Sequence, residues 1–333
     1  MKETKKRQRF KTIPLFPTDD GLHLDDSILW FDSKLNGELS FLSAANLSIN
    51  SKVPQVITTQ ETAKLMEALQ KPIGALVCQY NRPFSIGKLN MELLPSGCIL
   101  GGASLYVETE KGKLLYAPQL QPQKIDTVRR LQLKKAHSLV LGAFYPYPQS
   151  TFSNRKKEID RLLTDIMQLS TQGECPVILC DPVGIAQELT KLLSDRDLPV
   201  AVHSKIYRVN RVYEEFGSKL GDYTLHSKYT KNKIMIFPRI DTNRLRNPLP
   251  AGPILEVSDT TDTALHVSAL ESPSKKYILS SYCDAQETKE VIKAVSPKEL
   301  YLIGPYANRY AKELKNEAAV VKPLFAGGYE PLF

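Results

Sequence analysis

Residues 175–217, CPVILCDPVGIAQELTKLLSDRDLPVAVHSKIYRVNRVYEEFG, decide the fold class of this chain. The runs PVILC and LPVAV are short and apolar, as buried strands are, and apolar residues recur at helical spacing after each of them. The same alternation returns near the end of the sequence, in KYILSSYCDAQETKEVIKAV and ELYLIGPYANRYAKELK. Strands that alternate with helices of this length predict βαβ units and a parallel sheet with helices on its faces. We therefore predict an α/β fold.

The first half of the chain is instead rich in strand patterns. Between Ile28 and Gln119, short apolar or alternating runs are separated by turn residues: ILWFD, ELSFLSA, QVITT, GALVCQY, NMELLPSG, ASLYVET and KLLYAP. A single helix interrupts them, and Thr58-x-x-Glu61 has the capping-box pattern that marks its beginning. Its apolar side is formed by Ala63, Leu65, Met66 and Leu69. A mostly β region thus precedes the α/β region.

Composition limits the classes of function. The chain has 333 residues, of which 42% are hydrophobic and 24% charged, as in soluble globular proteins. Lysine and arginine exceed aspartate and glutamate, giving a formal net charge of +8 that favours polyanionic partners such as nucleic acid. No apolar run approaches the roughly 18 residues that span a bilayer, so we expect a cytoplasmic protein without a membrane association. Five scattered cysteines and five scattered histidines do not form a zinc motif or a disulfide framework.

Several stretches, taken in order, resemble one family. They are PSGCILGGASLYVETEKGKLLYAP (95–118), CPVILCDPVGIAQELTKLL (175–193), LPVAVHSKIYRVNRVYEEFG (198–217) and SSYCDAQETKEVIKAVSPKELYLIGPYA (280–307). They are similar to the metallo-β-lactamase-fold nucleases that carry a β-CASP insert, and most similar to the bacterial DNA ligase-associated exonucleases. The resemblance implies an αββα sandwich with an inserted α/β domain. It divides the chain into a basic N-terminal extension (1–27), a first sandwich part (28–149), the β-CASP-like insert (150–247) and a closing sandwich part (248–333).

In that family two metal ions, usually zinc, are held by imidazole and carboxylate groups and activate water for attack on a phosphodiester. The matching positions carry other residues here. They are Ala44, Asn46, Ser48 and Ile49 after Ser43, then Cys98, Pro118, Gly142, Ser281, Tyr282 and Gly304. A zinc site needs about four donors, and the single thiol of Cys98 cannot hold a binuclear centre. The resemblance therefore predicts a degenerate site with no catalytic residues, from which the family's zinc or manganese has been lost.

Other matching positions allow contacts with nucleic acid. Gly184 begins a helix after a parallel strand, where backbone N–H groups can receive a phosphate, and close helix packing is the alternative role. His203 ends a strand before a basic helix that carries Arg208 and Arg211. Phe144, Tyr145 and Tyr147 follow another strand and are able to stack on bases. Structural packing is the alternative for all of them.

The expected function is that of an inactive nuclease homologue, which binds nucleic acid or acts as a scaffold in a DNA repair or nucleic-acid processing complex. DNA is favoured over RNA, and a DNA ligase, a helicase or an active nuclease is the expected protein partner. One alternative is an active exonuclease or hydrolase with a rearranged site. A further alternative is an interaction protein without affinity for nucleic acid. Cys98 as a nucleophile needs a neighbouring base, which the sequence around it does not supply.

Overall fold

The computed structural model describes residues 13–34, 38–47, 55–145, 147–152, 154–239, 249–259 and 275–324. Ser48 and Ile49, two of the predicted degenerate positions, lie outside the described residues.

The secondary structure follows the chain in three groups. The first group comprises β1 (Leu15–Thr18), β2 (Gly21–Leu24), β3 (Leu29–Phe31), β4 (Leu39–Phe41), β5 (Val56–Thr58), α1 (Gln60–Ala68), β6 (Ala75–Val77), β7 (Phe84–Ile86), β8 (Leu89–Pro95), β9 (Ala103–Thr109), β10 (Gly112–Ala117) and β11 (Ser138–Gly142). The second group comprises α2 (Arg155–Thr171), β12 (Val177–Cys180), α3 (Ile185–Ser194), β13 (Val200–Val202), α4 (Ser204–Glu215), β14 (Thr224–Leu225), β15 (Ile234–Pro238), β16 (Ile254–Ser258) and β17 (Lys275–Ile278). The third group comprises α5 (Ala285–Val295), β18 (Glu299–Ile303), α6 (Ala307–Glu313) and β19 (Val320–Pro323).

The described strands form three sheets. The first has the order β1-β2-β3-β4-β5-β6, with antiparallel pairs at its beginning and parallel pairs from β3 onward. The second has the order β19-β18-β11-β10-β9-β8-β7 and is antiparallel from β7 to β10 and parallel beyond. The third, β14-β13-β15-β12-β16-β17, is parallel throughout. The predicted α/β class is confirmed.

The first two sheets pack face to face. Phe31 and Phe41 of the first sheet share one apolar core with Leu105, Tyr116 and Val140 of the second. Helix α1 buries its apolar side on the outer face of the first sheet, while α5 and α6 cover the outer face of the second. The layers are therefore helix, sheet, sheet and helix, because each sheet has two apolar faces that must be covered.

The third sheet forms a separate α/β unit between β11 and β18. Its own core joins residues of β12, β13, β15, β16 and β17 to the apolar sides of α2, α3 and α4. Two of its strands, β16 and β17, come after residue 247, so the predicted boundary at that residue falls inside the unit rather than at its end. Residues 1–27 were predicted as an N-terminal extension, but β1 and β2 lie within them and belong to the first sheet. Sheet membership depends on pairing between distant strands, which the local pattern does not contain.

The beginning of α1 lies one residue after the predicted position. Thr59 is the N-cap, and its hydroxyl accepts from the N–H of Thr62. The hydroxyl of Thr58 instead donates to the carbonyl of Leu42 and so ties β5 to the end of β4. The described helices include none that is long and apolar enough to cross a membrane.

Candidate functional site

The loop after β4 carries the first positions of the predicted degenerate site, and it is closed by packing. Both the N–H and the hydroxyl of Ser43 donate to the carboxylate of Asp32, at 2.7 and 2.8 Å. The hydroxyl of Tyr116 donates to the same carboxylate at 2.8 Å, which fixes the loop to the core of the two sheets. Ala44 is 2% exposed, and the Oδ1 atom of Asn46 is buried without a hydrogen-bond partner in the described part of the chain.

Cys98 lies on the loop between β8 and β9, next to the loop that follows β4. It is buried and packs in one apolar group with Ala44, Leu47 and Val183, so the loop after β4 and the third-sheet unit meet there. Its Sγ donates weakly to the carbonyl of Ser96 at 3.7 Å. Burial raises the pKa of the thiol far above its usual range. A thiol held in its protonated form is neither a good nucleophile nor a good metal ligand.

An aromatic ring fills the space next to two of the glycines. A Cβ atom on Gly142 would lie 2.2 Å from the Phe144 ring and 2.1 Å from the carbonyl oxygen of Pro118. A Cβ atom on Gly304 would lie 2.8 Å from the same ring, and the φ of +101° at this residue already favours glycine. The Phe144 ring thus occupies the volume where side chains from positions 142 and 304 would lie.

The last two positions complete this aromatic packing. The ring of Tyr282 lies 5.8 Å from that of Phe144, centroid to centroid, and burial raises its pKa well above the usual range. The N–H of Ser281 donates to Asp259 Oδ1 at 2.9 Å. Pro118, Gly142, Phe144 and Tyr282 line a cavity of about 30 Å³ with Cys283 and neighbouring apolar residues. This volume holds about two water molecules.

These residues do not fit a binuclear metal site. Ala44, Pro118, Gly142 and Gly304 have no side-chain donor, and Cys98 is buried as a neutral thiol. In the part of the chain that the structure describes, no three His, Cys, Asp or Glu side chains are grouped so that they would hold a metal ion. A family-type hydrolytic step through bound zinc or manganese cannot be derived from this donor set, and the predicted loss of the cofactor stays a prediction.

A charged network lies beside this packed site. Asp181, Arg239 and Asp259 each follow a strand of the third sheet, so all three meet at its carboxyl edge. Arg239 Nη2 lies 2.9 Å from Asp181 Oδ1, and its Nη1 lies 3.7 Å from Glu256 Oε1. Burial, and then the charge of Asp181, raise the pKa of Asp259 to about 7. This network was not predicted from the sequence. Its signal there is a charged residue directly after each of three strand patterns: Asp181, Arg239 and Asp259.

A second ion pair connects α2 and α3 of the third-sheet unit with the loop that contains Tyr282. Arg155 at the beginning of α2 contacts both carboxylate oxygens of Glu188 on α3, with Nε 2.9 Å from Oε1. Its Nη1 donates to the carbonyl of Ser280 at 2.7 Å. Because one guanidinium holds two helices and this loop, the positions of Ser281 and Tyr282 depend on it.

Gly184 has a packing role that is visible in the structure. Its φ is +92°, and a Cβ atom there would lie 2.7 Å from Ile99 Cγ2, so only glycine allows the loop between β8 and β9 to approach. Its N–H donates to the Oε1 of Gln187 at 2.7 Å. This N–H, which the sequence left open as a phosphate contact, has an internal partner.

The three remaining predicted residues lie on or beside α4. His203 is its N-cap, and the imidazole Nδ1 accepts from the N–H of Lys205 at 3.2 Å. Burial, and then Arg208, lower the pKa of His203. Arg208 donates from Nε to the carbonyl of Ala68 at 3.1 Å, whereas Arg211 forms an exposed ion pair with Glu214. Of the aromatic residues, Tyr145 is buried and Tyr147 is 49% exposed.

No protein-family model matches the chain. Over 304 residues, which cover 89% of the chain, it is 23% identical to a protein of Opitutus terrae named "Probable DNA ligase", and it spans 29% of that protein's length. A crystal structure of a protein of unknown function from Enterococcus faecalis has a TM-score of 0.55 at 12% identity, covering 79% of this chain and 74% of that one. The second similarity shows a shared fold.

Proposed function

We propose that this chain is a catalytically inactive relative of the metallo-β-lactamase-fold nucleases with a β-CASP insert, and that it binds nucleic acid within a DNA repair or processing complex. The helix, sheet, sheet, helix layers and the parallel α/β unit between β11 and β18 support this assignment. The similarity to a protein named as a probable DNA ligase supports a DNA-related role.

One observation supports the proposal that the chain is catalytically inactive. The ring of Phe144 stands in the volume beside both Gly142 and Gly304. An acidic or imidazole side chain at either position would require this ring to move, and at Gly142 also the backbone of Pro118. Restoring one ligand by mutation would therefore not restore the site.

The net charge of +8 supports the binding part. Lysine and arginine side chains release condensed counterions when they contact phosphates, and this release favours binding at low salt. The similarity to a longer protein named as a probable DNA ligase supports DNA as the nucleic acid. A DNA ligase, a helicase or an active nuclease is the partner that we propose.

The decisive experiment measures binding and hydrolysis on the same preparation. Labelled single-stranded and duplex DNA are titrated with the full chain across a salt series, and 3′-labelled DNA is incubated with Mn²⁺ or Zn²⁺, with and without chelator. We expect salt-sensitive binding and intact DNA. Chelator-sensitive cleavage, or stoichiometric metal in the purified protein, would overturn the inactive assignment. Complete lack of binding at low salt would leave only a role in protein contacts.

The rival reading, a hydrolase with a rearranged site, has one structural observation in its favour. Asp181, Glu256 and Asp259 bring three carboxylates to the edge of the third sheet beside Tyr282, with Arg239 among them. If cleavage is detected, Asp259→Asn should abolish it when the carboxylates form the rearranged site. Cys98→Ala tests whether the thiol takes part in the cleavage instead. Cleavage that survives both changes points to a contaminating nuclease.

A further inference from the structure

A basic and aromatic surface is formed by the third-sheet unit together with the end of α1, to which Arg208 is hydrogen-bonded. We name it the basic rim, and its residues are Lys71, Lys205, Arg208, Lys228, Tyr229 and Lys231. Three belong to the region where α1 meets α4, and three belong to the connection between β14 and β15. Neither the packed site nor the charged network around Arg239 includes any of them.

The topology of the sheet brings the two halves of the rim together. Strands β13 and β14 are parallel neighbours, with Val202 opposite Leu225. The N–H of His226 donates to the carbonyl of Val202 at 2.9 Å, so the pairing continues to the very ends of the strands. Neighbouring strands lie about 5 Å apart, so α4 and the connection after β14 both begin at the carboxyl edge of the sheet, where the rings of His203 and His226 each contact that of Phe237.

The first half of the rim concentrates positive charge. Arg208 donates to the carbonyl of Ala68, which holds α4 against the end of α1 and brings it toward Lys71. Burial, and then the charges of Lys71 and Arg208, lower the pKa of Lys205 to about 8. Both of these neighbouring charges are cations, so the cluster favours an anion that neutralises them.

The second half adds an aromatic face between cations. The side chain of Tyr229 is 77% exposed, the highest value among the large hydrophobic and aromatic residues of the described chain. Lys228 Nζ lies 5.0 Å from the centre of its ring. Within the described residues, neither Lys228 nor Lys231 forms an ion pair, and both side chains are exposed. Exposed aromatic rings beside lysines can stack on bases while the cations contact phosphates.

We infer that the basic rim binds single-stranded nucleic acid, with an unpaired base stacked on Tyr229 and the backbone passing the lysines toward Arg208. This inference rests on the proposed nucleic-acid binding and assigns it to one surface. A duplex keeps its bases stacked inside and would meet only the cations, so the exposed ring favours a single strand. An acidic protein segment would use the lysines but would gain little from the ring.

Fluorescence anisotropy of a labelled 20-nucleotide single strand and of the matching duplex tests the inference. The variants are Tyr229→Ala, Tyr229→Phe, the pair Lys228→Ala and Lys231→Ala, and Arg208→Ala. A matched control replaces Lys88 and Lys315, two exposed lysines outside the third-sheet unit, by alanine. Thermal unfolding verifies that each variant is folded.

Tyr229→Ala should weaken single-strand binding about 5- to 10-fold, the effect of one lost stacking contact, and Tyr229→Phe should restore it. Loss of the two lysines should lower the slope of log K against log salt by about 1.4, since each phosphate contact on a single strand contributes about 0.7. Arg208→Ala should weaken binding, and the control should leave it unchanged.

Three results would overturn the inference. Wild-type affinity in the rim variants, or an equal loss in the control pair, would place the nucleic acid elsewhere while leaving the proposed function intact. Equal effects of Tyr229→Ala on duplex and single strand would refute base stacking. If the wild-type chain binds no nucleic acid at low salt, the inference and the proposed function both fail, and a protein partner is left.

Discussion

The filled space beside Gly142 makes a quantitative prediction. In Gly142→Ala the new methyl group would lie 2.1 Å from the carbonyl oxygen of Pro118 and 2.2 Å from the Phe144 ring. Ordinary contacts of this kind are about 3.5–4.0 Å, so both the Pro118 backbone and the Phe144 ring must separate from the new methyl group by more than about 1 Å. Overpacking in a folded core typically costs about 1–3 kcal/mol. With backbone as one of the two obstacles, we expect a loss near the upper limit, about 3 kcal/mol.

A double-mutant cycle separates the two obstacles. Phe144→Ala removes a partly exposed ring, and we expect a loss of about 2 kcal/mol, less than the 3–5 kcal/mol typical of fully buried rings. In the double variant the ring no longer opposes the methyl group at Gly142. The combined loss should therefore be about 1 kcal/mol smaller than the sum of the single losses, as is usual for contacting residues.

Urea unfolding followed by tryptophan fluorescence and by circular dichroism measures these free energies. Gly173→Ala is a comparison variant without a steric clash: a Cβ atom there would meet nothing within 4 Å, so its loss reports only the strain of a φ of +75°, which Gly142 does not share. If Gly142→Ala unfolds within about 0.5 kcal/mol of the wild type, or if the cycle is additive, the Phe144 ring does not fill the space beside Gly142 and the structural reason for an inactive site is lost.

Three further predictions concern buried polar groups. Arg155→Ala should lower the free energy of unfolding by about 3 kcal/mol, because it leaves the carboxylate of Glu188, whose side chain is 13% exposed, without its partner. A much smaller loss in urea titration would show that solvent compensates this carboxylate. The raised pKa of Asp259 means that the folded state binds its proton more tightly than the unfolded state does, so the wild type loses free energy of unfolding as pH rises from about 4 to 7. Asp259→Asn lacks this titration, and its stability should therefore increase relative to the wild type over that range. Parallel curves of stability against pH for the two proteins would contradict this. Tyr213→Phe should cost about 1–2 kcal/mol in thermal or urea unfolding, because the buried N–H of Leu100 loses its acceptor, and an unchanged midpoint would show that another acceptor replaces it.

Local patterns predicted several elements of the fold. The sequence Glu110-Lys111-Gly112 is typical of a hairpin turn, and it joins β9, which ends at Thr109, to β10, which begins at Gly112. Apolar residues from Ile159 to Ile166 recur at helical spacing, and α2 buries Leu162, Leu163 and Ile166. These features depend on residues that are close in sequence, so their information is local.

Other features depend on distant parts of the chain. Met167 shares the helical apolar spacing of α2 but is 60% exposed, because the third sheet covers only part of that side. The run ILEV reads as a strand, but nothing in it shows that β16 pairs with β12. The Phe144 ring was considered as a stacking surface, and its place between Gly142 and Gly304 follows only from the pairing of β11 with β18. The absence of side-chain donors at Gly142 and Gly304 was visible in the sequence, whereas the ring beside these glycines was not.

The pairing of β11 with β18 also has a consequence for synthesis of the chain. Ser138 of β11 bonds to Glu299 of β18 across 161 residues, and the whole third-sheet unit lies between them. At about 5–20 residues per second, a ribosome needs roughly 8–30 s to make that stretch. During this time the edge of β11 that pairs with β18 is exposed to solvent or a chaperone, while the strands of the third-sheet unit are being made. Expression yield should therefore depend more on chaperone supply and elongation rate than on the stability of the finished protein.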